Sequence, residues 1–351
     1  MRDNIGKQID SLLSNSSNSN YSGKESDADV KRIVLCRLGG IGDVIHTLPL
    51  AKHLKKKYKN ASIEYLTSAN VSELLNNSCS FIDKTWAFNK KNSSKAASDI
   101  LSDKTPIDYF FNLHGSLRFF LFNLFNIKAK KYFHYKKDKD LHSVVNFAKT
   151  FDPNISAHNL ESKTLTVDEN KSILNEYGLK ENKYICFVIG VGKVRPHRAW
   201  AIENWVMLAK KILTLTDPDF KIVFLGGEDE EKLSGYFLNS GDKTIDLIGK
   251  LDLIEVSKII NTSATVISGD TGLIHIASAL SKKVVGIFGP TIAERSGPFT
   301  GDFDILRAKN CICIGDYKKC KKKSSGGACM ESISVDDVVS KLQIGSLSNS
   351  Y

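Results

Sequence analysis

The 351 residues are 42% hydrophobic and 25% charged, an ordinary soluble globular balance, and the length is enough for about two domains with cores of their own. No apolar run reaches the roughly 18–20 residues of a membrane-spanning helix, and the N-terminus carries no apolar signal core, so neither an integral membrane protein nor a secreted one is expected. The formal charge of +10 is concentrated in the first half: residues 1–160 hold 24 basic and 15 acidic side chains, residues 161–351 hold 25 and 24.

Residues 1–29 read as a disordered tail, because the Ser- and Asn-rich stretch from Ser11 to Ser22 has little to bury. Residues 345–351 look the same. Between them strands and helices alternate. Arg32–Cys36 is a short apolar run that ends in the loop Leu38-Gly39-Gly40-Ile41-Gly42-Asp43. A helix follows, with apolar positions from Val44 to Leu54 and lysines in its last turn, where they suit the helix dipole. Ser62–Leu66 and Tyr109–Leu113 are further buried strands, with a helix near Val71–Leu75. The period weakens between Phe151 and Leu179, which places a linker at 166–180 between domains spanning 30–165 and 181–344. Beyond it the pattern restarts. Strands are expected at Tyr184–Ile189, Lys221–Leu225, Ala264–Ser268 and Lys283–Phe288, and helices at Ile202–Leu213, Asp229–Leu238, Leu253–Ile260 and Leu273–Leu280. Two doubly wound α/β units result, and such units take ligands at the carboxyl ends of their strands.

The strand-end loops are therefore the candidates for chemistry. Gly39–Asp43 departs from a dinucleotide fingerprint, since a match started at Gly40 puts Ile45 where the third glycine belongs, although Glu64 stands at the distance expected of a ribose ligand. Asp43 either caps the helix or presents a carboxylate to a ligand. Ser268-Gly269-Asp270-Thr271-Gly272-Leu273-Ile274-His275 opens another helix; its first backbone N–H groups suit a diphosphate, and His275 follows one turn after Thr271. The loop Gly190–Trp200 carries Lys193, Arg195 and Arg198 with no acid, either a solvated basic loop or a match for an anionic leaving group. Glu228, after Gly226-Gly227, is placed to accept from ribose hydroxyls. Of the seven cysteines, Cys36, Cys79 and Cys186 sit singly in or near apolar segments, as core thiols. Cys311, Cys313, Cys320 and Cys329 fall within nineteen residues, as reduced thiols or as a four-thiolate metal site.

Taken together, four blocks resemble glycosyltransferase family 9, the bacterial heptosyltransferases of the lipopolysaccharide inner core. They are Leu38–Pro49 (LGGIGDVIHTLP), Arg198–Trp205 (RAWAIENW), Ser268–Leu280 (SGDTGLIHIASAL) with Phe288–Thr291 (FGPT), and Cys329–Ile333 (CMESI). The resemblance implies a GT-B fold: two facing Rossmann-like doubly wound domains with a ligand cleft between them, acceptor domain first, nucleotide-sugar domain second. It implies inverting, metal-independent transfer of a heptose from ADP-heptose to a lipid A–core acceptor, at the cytoplasmic face of the inner membrane. Asp43 becomes the general base and Arg198, standing where the family has a lysine, the electrostatic stabiliser of the leaving group. Gly42, Lys193, Glu228, Asp270, Thr271, Gly272, Leu273 and His275 fall to the donor; Gly40, His46, Lys128, Lys130 and Lys131 to the acceptor. No cofactor is expected for catalysis, and Cys311, Cys313, Cys320 and Cys329 would hold a structural metal. The basic stretches 52–59 and 128–137 are expected contacts for anionic headgroups, and nucleic acid is not an expected partner. The alternatives are an O-antigen sugar or a protein hydroxyl as acceptor, a non-catalytic nucleotide-binding protein, and an NAD-dependent oxidoreductase.

Overall fold

The structure, a computed structural model, describes residues 29–88, 100, 103, 105–114, 127–168, 171–192, 196–237, 241–299, 301–316, 320 and 329–342. The two expected tails lie outside these residues, apart from Asp29. The chain divides into two compact units: residues 1–39 with 47–161, and residues 162–351 joined by the short segment Gly40–His46.

In the first unit the elements in chain order are β1 (Arg32–Cys36), α1 (Ile41–Lys57), β2 (Ser62–Ser68), α2 (Ala69–Ser78), β3 (Lys84–Phe88), β4 (Ile107–Asn112), β5 (Ala129–His134) and α3 (Ser143–Ala148). The strands form one parallel sheet in the order β3-β2-β1-β4-β5. β1 and β4 are buried along their whole length and mainly apolar, as strands covered on both faces are, with Arg32, Asp108 and Asn112 at or next to their ends. One face of this sheet packs Val34, Cys36, Leu66, Phe110, Ile107 and Ile127 together.

The second unit contains α4 (Lys171–Glu176), β6 (Tyr184–Val188), α5 (Ile202–Leu215), β7 (Lys221–Leu225), β8 (Thr244–Asp246), α6 (Leu253–Thr262), β9 (Thr265–Gly269), α7 (Gly272–Ala279), β10 (Val284–Phe288), α8 (Ala293–Ser296), β11 (Phe303–Arg307) and α9 (Val335–Val339). Its parallel sheet runs β11-β10-β9-β6-β7-β8. On α5, the buried residues Trp205, Leu208, Ala209 and Ile212 recur at three- and four-residue spacing, the stripe that binds a helix to a sheet. α6 starts on a capping box: Asp252 accepts from the N–H of Ile254 and Glu255 at 2.8 Å each, and Glu255 accepts from the Asp252 N–H at 2.9 Å.

Both sheets reverse strand order at their centre, between β1 and β4 in one and between β6 and β9 in the other. In such sheets the crevice outside the carboxyl ends at the reversal is the ligand-binding position. At the reversals stand the loops leaving β1 and β4 in one sheet and β6 and β9 in the other, and those leaving β1, β6 and β9 are among the loops that the sequence singles out.

Two expectations change. The helix expected over Asp229–Leu238 is a 3₁₀ turn, Glu228–Leu233. Four consecutive acids in its first turn repel one another, and Gly235 takes a φ of 83° that ends it. The stretch 166–180, read as a linker, holds α4, whose Ile173 and Leu174 are buried.

Candidate active site

The glycines of the β1–α1 loop have a clear backbone reason. Gly39 and Gly40 adopt φ of 104° and 68°, where a side chain is strained, and the Gly40 carbonyl accepts the Val44 N–H at 3.1 Å. This turn delivers Asp43, half-buried, in the first turn of α1. Within the second unit, the segment Gly40–His46 packs on the start of α7. A methyl on Gly42 would stand 2.5 Å from Cδ2 of His275, and one on Gly272 would stand 3.0 Å from Cβ of Ile41. The bare Cα of Gly272 thus leaves room for the Ile41 side chain. His46, an expected acceptor ligand, is buried; its ring meets that of His275 edge to face at 4.3 Å.

α7 is eight residues long, with Thr271 as N-cap in extended conformation and no hydrogen bond from its side chain to the helix. The turn before it carries Asp270, which is 5% exposed. Its Oδ2 accepts from Nη1 of Arg198 at 2.6 Å, while Nη2 of Arg198 donates to the Val191 carbonyl at 3.0 Å. The two residues, assigned separately to leaving group and donor, are thus one unit: Asp270 and a carbonyl hold the guanidinium at the ends of β6 and β9. Lys193 lies outside the described residues. Leu273 and His275 are buried in α7.

Glu228 is exposed, and the sequence misses the carboxylate that matters locally. Glu230 accepts from the N–H of Gly192 and of Gly227, both at 3.1 Å, and ties the β6 loop to the β7 loop. Its signal was the spacing Gly227-x-x-Glu230, that of a capping box. Beside it opens a cavity of about 490 Å³, lined by Trp200, Trp205, Met330, Asp229, Glu230 and Gly192 among others. Aromatic walls with a carboxylate rim suit a flat ring bearing hydroxyl and amino donors.

In the first unit, Lys128 precedes β5, and Lys130 and Lys131 lie in its first half; Lys131 is level with Ile33, the second residue of β1. In a parallel sheet this is the edge opposite the carboxyl ends, so the three lysines are not brought to the β1 loop. Lys130 pairs with Asp108 at 2.7 Å, and Lys52 and Lys56 both reach Glu161, while Lys55 holds Asp83 at 2.8 Å. Four of these lysines are therefore engaged, while Asp83 and Asp108 already count in the charge balance of the first half and leave its excess standing. Glu64 is no ribose ligand: it is buried in a bidentate pair with Arg32, at 2.7 and 3.0 Å, and accepts from Trp86 Nε1 at 2.7 Å. That removes the acidic residue on which a dinucleotide site would depend.

Cys36, Cys79 and Cys186 are buried thiols, and burial pushes Cys186 up to about 12. The other four gather in the second unit. The sulfurs of Cys311, Cys313 and Cys329 lie within 4.8 Å of one another, with Cys311 and Cys313 at 3.4 Å. Cys320 is buried in the same core cluster. Burial first, then the neighbouring sulfurs, push Cys313 up to about 12 and Cys329 up to about 11.

Among the described residues no helix is long and apolar enough to cross a membrane. Residues 126–325 match glycosyltransferase family 9 (heptosyltransferase). Over 178 residues the chain is 23% identical to lipooligosaccharide heptosyltransferase 2 of Haemophilus influenzae, an alignment covering 49% of this chain and 48% of that protein. The chain thus spans about half the length of the curated relatives it matches. In fold it is similar to the E. coli ADP-heptose LPS heptosyltransferase II, with a TM-score of 0.72, 18% identity and coverage of 90% of this chain and 98% of the other. A second likeness, with a TM-score of 0.57, 13% identity and coverage of 91% and 76%, is to the dodecameric iron-containing heptosyltransferase TibC in complex with ADP-D-beta-D-heptose. The two parallel α/β units are those of the GT-B fold class. The motif blocks, the two reversed sheets and a family match over more than half of the chain agree: it belongs to glycosyltransferase family 9.

Proposed function

We propose that the chain transfers a heptose from ADP-heptose to a lipopolysaccharide inner-core acceptor, with inversion at the sugar and at the cytoplasmic face of the inner membrane. The observation that carries this reading is the packing of the Asp43-bearing turn onto the first turn of α7. A carboxylate able to take a hydroxyl proton thereby belongs to the same body as a helix start suited to a diphosphate.

In this reading the roles are as follows. The backbone N–H groups of Thr271, Gly272 and Leu273 receive the diphosphate. The Arg198 guanidinium, held from one side by Asp270, offsets charge as the diphosphate departs, and Lys193 adds to that field. The cavity beside Trp200 and Glu230 takes the nucleoside. Asp43 accepts the proton of the attacking hydroxyl, so that no metal enters the chemical step. The ADP-heptose bound by TibC and the name of the E. coli relative support the donor.

The cysteine cluster fits a metal ion apart from the chemistry. Three sulfurs within 4.8 Å of one another suit thiolate ligands of one ion, and Cys320, buried in the same core cluster, is the candidate for a fourth. Such an ion would tie Cys311 and Cys313 to Cys329, which lies sixteen residues beyond Cys313.

A product assay tests the reading. Purified protein is given ADP-heptose with truncated lipopolysaccharide acceptors, an O-antigen sugar and a protein acceptor in separate arms. Transfer to the core acceptor is expected, and Asp43→Asn is expected to abolish turnover while ADP still binds. Transfer only from another nucleotide sugar overturns the donor; full activity in Asp43→Asn overturns the base; thermal stabilisation by NAD alone returns the oxidoreductase.

A further inference from the structure

We propose that His46 is the positioning residue that seats the Asp43 turn for reaction, an inference that rests on the glycosyl-transfer reading above. Helix α1 divides its packing: Gly40–His46 clusters with the second unit, and the residues from Thr47 onward with the first. What fixes the first turn in place is therefore distinct from what fixes the rest of the helix.

His46 is 4% exposed, and its Nε2 lies 3.2 Å from the Gly297 carbonyl oxygen. A carbonyl only accepts, so Nε2 carries the proton and donates. The Gly297 carbonyl is itself fixed at the end of α8, because the Gly297 N–H donates to the Ala293 carbonyl at 2.6 Å. The His46 ring stands edge to face on His275, which in turn covers Gly42, while Ile41 covers Gly272. Three of these four contacts are van der Waals packing and tolerate small shifts. The N–H···O bond is directional and sets one register. His46 follows Asp43 by three residues, on the same side of the helix, so a rotation of one carries the other. Loss of the bond leaves the turn packed but lets the carboxylate wander, and small misplacements of a catalytic group are costly.

Two variants separate this from simple core filling. His46→Phe keeps a ring and removes the donor; it is expected to lower kcat about 10- to 100-fold, with the ADP dissociation constant within about twofold of wild type. His46→Gln carries an amide N–H that reaches the same carbonyl and is expected to recover turnover to within about threefold of wild type. Wild-type kcat in His46→Phe, or equal losses in both variants, overturns the proposal. An imidazole nitrogen NMR spectrum of the wild-type protein decides the matter without relying on folded variants. The Nε2–H tautomer is expected, and the Nδ1–H tautomer overturns the assignment. Wild-type protein with no transfer to any acceptor sinks the functional reading, and the spectrum still tests the hydrogen bond.

Discussion

Two arginine–carboxylate pairs of similar chemistry lie in the two units and have opposite surroundings. Arg32–Glu64 joins the first residue of β1 to the middle of β2, and its side chains are 2% and 3% exposed. Every direction around it is filled: Arg32 also donates to the carbonyls of Ile100 at 2.9 Å and Thr105 at 2.7 Å, and Trp86 completes Glu64. Arg198–Asp270 stands just beyond the ends of β6 and β9, with side chains 16% and 8% exposed and one further carbonyl contact. The first pair closes a core and has no donor left for a ligand. The second holds a guanidinium at a strand end, ready to meet an anion. Position along a parallel strand, more than residue type, separates an ion pair enclosed in a core from one left at a strand end.

The largest expected effect breaks the first pair. Glu64→Ala strands a buried guanidinium and should cost about 3–5 kcal/mol of folding stability, read by chemical denaturation, while turnover per folded molecule is kept. A cost under about 1 kcal/mol would mean that Arg32 finds water or another acceptor. Next, Arg198→Ala should lower kcat about 10²- to 10³-fold with little change in melting temperature. If the two variants fall together in both measurements, the contrast between the pairs is lost.

The cysteine cluster sharpens the contrast inside the second unit, since a structural metal there should behave like the Arg32–Glu64 pair. Native protein is expected to carry about one metal ion per chain, and chelation is expected to lower the melting temperature. The raised thiols of Cys313 and Cys329 are protonated at neutral pH without metal, so binding must displace protons. Affinity should then rise with pH and fall on acidification. Metal-free native protein with an unchanged melting temperature would leave four reduced thiols. The smallest effect concerns the α6 cap, far from any strand-end chemistry: Asp252→Ala should cost about 1 kcal/mol and leave kcat unchanged.

Which strands the sequence reveals follows from where they sit. β1, β2, β4, β6, β7, β9 and β10 are all interior strands, covered on both faces, and their apolar runs are unmistakable. β3, β5, β8 and β11 are the four sheet edges, and none was legible. Ala129–His134 has two exposed lysines and no fully buried residue, so it reads as a basic surface stretch. An edge strand is defined by its hydrogen bonds to one neighbour, and backbone pairing leaves no mark in composition. The same lack of a local signal hid that Lys130 and Lys131 lie in the first half of an edge strand, with Lys128 just before it. Glu230 was passed over for Glu228 because the first carboxylate after a glycine pair is the obvious one, whereas the turn of the chain chooses the third.

The sequence alone determined that this chain is a pair of doubly wound α/β units, which loops end their central strands, and, through four motif blocks, the family. Those are local properties: periodicity, glycine at turns, and residue types held at fixed spacing. Tertiary structure decided the partners. It put Asp270 on Arg198, Glu64 on Arg32, His46 on Gly297 and His275 on Gly42, and it drew three thiols to within 4.8 Å while Cys320 joined their cluster. It set four lysines of the basic first half against Glu161, Asp83 and Asp108. A side chain's role depends on the group it meets within a few ångströms, and that neighbour comes from elsewhere in the chain.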